Sequence, residues 1–211
     1  MSRFHGQGRL LPALLAGVLI LGGTTSCSRV GPTSDQVQVA HAFDSWKAAM
    51  INHQTDQAMA YIPPHVDDYL KALNTGTLVP AANAPPSASP GVDLLLRTAL
   101  VKKVPASLRP HLTLRILLQR IADRHLFNPR DVRQIDLGTV WINGNRASAE
   151  VYYEGTLTAL HLPFLKEDDG WKIDVMALLP YAEVLMRVDR AIKGETETQQ
   201  VDQLVGKLPS L

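Results

Sequence analysis

The chain has 211 residues, 45% of them apolar, 6% aromatic and 19% charged, with a formal net charge of +1. That length fits one domain with appendages, and the apolar share supports a packed core, which excludes wholesale disorder. With 14 Gly, 14 Pro and a single Cys, collagen-like repeats, Pro-rich low complexity, a disulfide framework and multi-Cys metal clusters are excluded as well.

Residues 1–26 read as an export signal. Arg3 and Arg9 make a positive start, and Leu10 to Leu21 is an apolar run interrupted only by Pro12 and Gly17. The run is about half of the ~20 residues that a membrane-spanning helix requires, so it suits a signal core better than a span. Small residues follow, Gly22-Gly23-Thr24-Thr25-Ser26, and then Cys27. This order resembles the bacterial lipoprotein signal, although Thr24 stands where that family prefers Leu. The resemblance implies a diacylglyceryl thioether on Cys27, cleavage before it and acylation of the new amine. Two buried acyl chains suffice for stable anchoring. Ser28 rather than Asp after the Cys implies sorting to the outer membrane, facing the periplasm. The alternative is an ordinary secretory signal that releases a soluble protein. Without residues 1–26 the balance is 19 basic against 20 acidic residues, which gives no electrostatic ground for binding nucleic acid.

Residues 27–34 form a polar tether. Ser34 is a candidate N-cap for a helix from Asp35 to about His53, with Val39, Phe43, Trp46 and Met50 inward and Asp44 and Lys47 outward. Thr55 caps a second short helix through Ile62, which Pro63-Pro64 ends. Residues 65–74 make a further helix burying Val66, Tyr69, Leu70 and Leu73, and residues 75–91 form a loop. Helix signals return over Asp93–Lys103 and, capped by Ser107, over about Leu108–His125, with Leu114, Leu117, Leu118 and Ile121 as its apolar stripe.

From Arg133 the period becomes two. Ile135, Leu137, Thr139 and Trp141 alternate up to Asn143-Gly144, a strong hairpin signal. Ala147, Ala149, Val151, Tyr153 and Leu157 carry the return strand, Leu160, Leu162 and Phe164 a third, and Trp171, Ile173 and Val175 a fourth after the Asp168-Asp169-Gly170 turn. An antiparallel meander is expected. Beyond Pro180 the helical period resumes at Tyr181, Val184, Leu185, Val188 and Ile192, and a last amphipathic segment buries Val201, Leu204, Val205 and Leu208.

Helices followed by an antiparallel sheet predict an α+β domain: N-terminal helices packed on a curved four-stranded sheet, with extra C-terminal helices. The leading helix with Trp46, the Asn-Gly hairpin, the small-residue strand and the closing Leu162-Pro163-Phe164…Asp169-Gly170-Trp171-Lys172-Ile173-Asp174 are similar to the nuclear-transport-factor-2-like superfamily, which includes ketosteroid isomerases. The resemblance implies a cone-like domain over residues 35–178, with residues 179–211 as a helical extension. The early hairpin usual in that family is not evident here. Such a cone leaves a concave apolar pocket. Its candidate lining is Phe43, Trp46, Trp141, Val151, Tyr153, Phe164 and Trp171, and the competing reading makes these residues plain core.

Catalytic signals are sparse. Asp136, Asp174, Tyr152 and Tyr153 supply the residue types of an isomerase, but both acids sit opposite the apolar stripes and are expected to face solvent. His65-Val66-Asp67-Asp68 offers metal-ligand types without ligand spacing, and no nucleophile-elbow, zinc-protease or phosphate-loop motif occurs. No catalytic residue, metal or cofactor is therefore assigned. Charge is uneven: residues 97–133 hold nine Lys/Arg against two Asp. Lys102, Lys103, Arg115, Arg120 and Arg124 form a candidate surface for an anionic partner. These features together predict a lipid-anchored envelope module that binds a protein partner or a small apolar ligand, with a ketosteroid-isomerase-like enzyme as the alternative.

Overall fold

A computed structural model describes residues 31–75, 89–123, 129–208 and 210. Cys27, Arg124 and most of the expected 75–91 loop lie outside the described residues. The architecture is α+β. Helices α1 (Ser34–Ile51), α2 (Thr55–Met59), α3 (His65–Thr75), α4 (Pro90–Lys103), α5 (Leu114–Asp123) and α6 (Pro129–Arg133) precede strands β1 (Ile135–Asn143), β2 (Arg146–Tyr153), β3 (Thr156–Glu167) and β4 (Gly170–Ile173). Helices α7 (Leu179–Lys193) and α8 (Glu197–Lys207) follow. The four strands form one antiparallel sheet in the order β1-β2-β3-β4.

The N-cap of α1 is Thr33, one residue earlier than expected. Its hydroxyl accepts from Gln36 N–H while the Gln36 side chain accepts from Thr33 N–H, so two of the orphan donors of the first turn are satisfied reciprocally. Val39, Ala42 and Phe43 of α1 share a core with Val140, Ala147, Ala149, Phe164, Trp171 and Ile173 of the strands. Trp46 and Met176 pack at the margin of that core. Lys47, expected to point outward, instead donates to Ile135 C=O at 2.5 Å and Asp136 Oδ1 at 2.8 Å, which ties α1 to the start of β1.

The helix expected over 108–125 is broken. Arg109–His111 is a 3₁₀ turn, and α5 begins only at Leu114, because Pro110 cannot donate in a helix interior. Asp67 of α3 accepts from the Leu114 N–H at 2.6 Å and so caps α5 from a neighbouring helix. Helix α4 starts at Pro90, inside the expected loop, with Pro in its first turn where no N–H is missed. After the stop expected at Asn128-Pro129 a further short helix follows: α6 opens with Pro129 as its first residue.

The strand periodicity is interrupted twice. In β1 the register passes from Leu137↔Val151 to Val140↔Ala149, so Gly138 and Thr139 together face Glu150. This β-bulge inverts the alternation: Ile135 and Leu137 pack against the core before it, Val140 and Ile142 after it. A Cβ on Gly138 would lie 2.5 Å from Tyr152 Cε2 and 2.7 Å from Glu150 Oε2, so the bulge requires glycine for space. In β3 the register slips by two opposite Val151, and the Thr158 hydroxyl fills the gap, donating to Val151 C=O at 2.8 Å. The turn between β2 and β3 is Glu154-Gly155, both at positive φ, so Leu157 belongs to β3 rather than to the return strand. Val175 lies in a 3₁₀ turn, Val175–Leu178, and not in β4.

The C-terminal helices build a second apolar cluster with α4: Val92, Met186, Val201 and Val205, flanked by Leu95, Ala99, Ala182 and Leu204. Leu208, expected inside, is 44% exposed at the end of α8. Helix α7 reverses its expected orientation. Glu183 and Met186 face inward, while Tyr181, Val184, Leu185, Val188 and Ile192 face solvent.

Candidate functional site

The seven residues expected to line a pocket divide into three groups. Phe43, Phe164 and Trp171 are 2%, 1% and 3% exposed and with Ala149 belong to the core that α1 shares with the sheet; Val151 is also buried. Trp46 is half-buried, its ring 5.9 Å from that of Phe43. Trp141 and Tyr153 are exposed, at 48% and 40%. The bulge at Gly138 turns Trp141 to the outer sheet face, where its ring lies 5.6 Å from His161. Tyr153 ends β2 beside the Glu154-Gly155 turn. The interior is thus side-chain core at these positions, and two of the expected lining residues belong to the surface.

A different concavity opens between α1 and the bulge. Gln36, Val37, Ala40, His41 and Asp44 form one wall and Gly138, Thr139 and Val140 the other, around an open groove of about 620 Å³. Gln36 Nε2 donates to Val140 C=O at 2.7 Å and closes one end. Glu150 braces the bulge from below, accepting from Thr139 N–H at 2.9 Å, and that backbone donor holds its carboxyl below the ordinary range. His41 and Asp44 are the titratable side chains among the described lining residues.

The acids of the isomerase reading do not converge. Asp136 is surface-exposed and paired with Lys47 at 2.8 Å. Asp174, expected outside, is buried. It accepts from Ala177 N–H at 3.2 Å, capping the turn after β4, and pairs with Arg146 at 3.3 Å and His65 at 4.0 Å. Its residence is explained by these donors, which satisfy the carboxylate where burial removes it from water. In the His65–Asp68 segment, Asp67 is committed to capping α5. Among the described residues no group of three His, Cys, Asp or Glu is placed to hold a metal ion.

Two buried polar contacts of the helical layer had no motif to announce them. The Tyr69 hydroxyl donates to Asp93, which is buried in the first turn of α4. Burial, reinforced by the Asp93 hydrogen bond, raises the Tyr69 phenol well above its ordinary range. Nearby, Glu183 of α7 accepts from Val92 N–H at 3.0 Å, placing a buried carboxylate at the positive end of α4. A Cβ on Gly91 would lie 2.8 Å from Glu197 Oε1 and 3.0 Å from Glu183 Oε2, so glycine admits both acids. Both arrangements join residues tens of positions apart, which local spacing does not encode.

The expected basic surface is partly neutralised. Lys102 pairs with Asp202 at 2.8 Å and Arg115 with Asp56 at 2.6 Å. Arg120 is exposed on α5, and Lys103 is half-buried in the last turn of α4, where a cation suits the helix dipole. No helix among the described residues is long and apolar enough to cross a membrane. Comparison with protein-family models, with curated proteins and with solved structures finds no match for the chain.

Proposed function

We propose that the chain is an exported lipoprotein, anchored to an envelope membrane through acyl chains on Cys27, and that its folded body acts by binding through its surface. The observation that carries this reading is the lone Cys of the chain, standing directly after the small residues that follow a short apolar run. An outer-membrane position facing the periplasm follows from Ser28 by the same resemblance. The arrangement of α1 against the strands supports a nuclear-transport-factor-2-like domain with a cone-like form, as does the closing Asp169-Gly170-Trp171-Lys172-Ile173 segment.

The filled space around Phe43, Phe164 and Trp171 favours a partner bound on the outside over a small apolar ligand held within. The groove beside the β1 bulge and the cations Lys103 and Arg120 are the candidate contacts for an envelope protein of acidic character. Native purification from solubilised membranes, with mass identification of co-purifying protein and lipid, tests the reading. A protein partner whose capture is lost in an Arg120→Glu variant is the expected result. Capture of apolar ligand alone, or of a partner indifferent to both the groove and Arg120, overturns the surface assignment.

A further inference from the structure

Helix α7 has two apolar faces, and the fold uses one. Leu179, Ala182 and Met186 pack toward α4 and α8. On the opposite side Tyr181, Leu185, Val188 and Ile192 recur at helical spacing, with Val184 and Ala191 beside them. The large side chains of this face are 39% (Tyr181), 44% (Val184), 51% (Leu185), 52% (Val188) and 80% (Ile192) exposed. No charged residue interrupts the stripe, which runs for about 17 Å at 1.5 Å per residue. A contiguous apolar surface of this kind on a folded domain marks an interaction site.

We propose that this face of α7 seats on the surface of an anionic phospholipid bilayer, with the helix lying in the plane of the headgroups. The charges bordering the stripe select this occupant. Arg187 is exposed at its edge, near mid-helix, and makes no ion pair among the described residues. The one acid on the outer half, Asp189, is already held by Lys193 at 2.8 Å and by Gln200 at 3.0 Å. Glu183 is buried on the inner side. An apolar stripe edged by a cation, with no uncompensated acid, is compatible with an anionic headgroup layer. A second copy of the chain fits less well. Antiparallel pairing of α7 with itself would bring the two mid-helix Arg187 side chains together with no acid to answer them, whereas anionic headgroups answer the same cation.

The inference deepens the anchored reading, because an acylated Cys27 would hold the chain at a membrane surface; the two are separable, since the mass of the Cys27 peptide reports the anchor and a probe on α7 reports the face. The experiment uses the full chain, reconstituted in phosphatidylcholine vesicles with or without phosphatidylglycerol. An environment-sensitive fluorophore is placed on Leu185→Cys or, as a control, on the exposed Asp168→Cys, and unsubstituted protein corrects for any labelling of Cys27. Nitroxide-bearing lipid should quench the Leu185 probe several-fold more than the Asp168 probe, and more strongly with phosphatidylglycerol present. Adding Val188→Asp at an exposed position, with circular dichroism as the check that the fold is kept, should cut that quenching by about fivefold. Equal quenching at both positions overturns the proposal. So does a Leu185 probe that lipid leaves untouched but that self-quenches as protein density rises, the mark of a second copy on this face.

Discussion

Replacing Glu183 with Ala probes the join between the C-terminal helices and the rest of the helical layer. The Glu183 carboxylate is 4% exposed and accepts from the Val92 N–H at 3.0 Å, in the first turn of α4. Val92 is itself 5% exposed, so in Glu183→Ala its donor is left without a partner and out of reach of bulk water. An orphaned buried donor costs about 1–3 kcal/mol. Loss of a partly buried anion at a helix N-terminus adds up to about 2 kcal/mol. Two effects offset these costs: a buried charge no longer has to be desolvated, and Glu197, whose Oε1 also approaches Gly91, loses a like-charged neighbour. A net loss of about 2–3 kcal/mol follows, or about 4–12 °C in Tm for a domain of this size. Glu183→Gln keeps an oxygen acceptor for Val92 and should lose about half as much. Urea unfolding followed at 222 nm, with thermal scans of the same proteins, measures both. A Glu183→Ala protein within about 0.5 kcal/mol of the parent would refute the capping argument, as would a Gln variant no more stable than the Ala variant.

Three further outcomes are expected. Phe164→Ala, which empties the centre of the sheet-side core, should cost about 3–5 kcal/mol by chemical denaturation; a loss under about 1 kcal/mol would mean that Phe164 lines a space able to collapse or hold solvent. Gly138→Val should destabilise by about 1–3 kcal/mol, because the new Cβ meets Tyr152 and Glu150 below contact distance, and unchanged stability would show that the β1 bulge relaxes freely. Stability should decline toward acid. The Asp35 carboxyl is lowered by the Lys166 and then the Trp171 hydrogen bonds, Glu150 by the Thr139 N–H, Asp169 by Lys172 and Asp189 by Lys193. Groups with depressed folded values stabilise above their unfolded range, near pH 4, and lose that contribution as pH falls through the folded values. At the other extreme, Tyr69 is raised, so its contribution is full below pH 10 and is lost as pH climbs past that point. A stability profile flat from pH 5 to pH 2 would contradict the acid half of this account.

Elements whose signals are local were legible in the sequence. The α1 stripe of Val39 and Phe43, the Asn143-Gly144 hairpin and the Asp169-Gly170 turn each depend on residues within a few positions of one another. The four-stranded meander followed from them. The candidate site was legible only in part, for reasons that lie in tertiary structure. Trp141 has the right period for the core, but the extra residue at the bulge turns it outward, and nothing in the alternation itself marks where Gly138 interrupts the ladder. In α7 the stripe of Tyr181, Leu185, Val188 and Ile192 is as periodic as any buried face. Its exposure is decided by Ala182, Met186 and Glu183, which fit against α4 from the other side. Periodicity identifies a face, and only packing partners decide which face is covered. Asp174 shows the same limit for polar residues, since it is buried with the Arg146 guanidinium and the Ala177 N–H as partners, contacts that strand alternation does not encode.

The anchor itself is tested most directly by the mass of the N-terminal peptide of the protein purified from membranes. The account predicts a chain that begins at Cys27 and carries a diacylglyceryl thioether with an acylated amine, together with a Cys27→Ser form that stays uncut. A mature chain that begins elsewhere with an unmodified thiol, or a Cys27→Ser form that matures and fractionates like the parent, would contradict it.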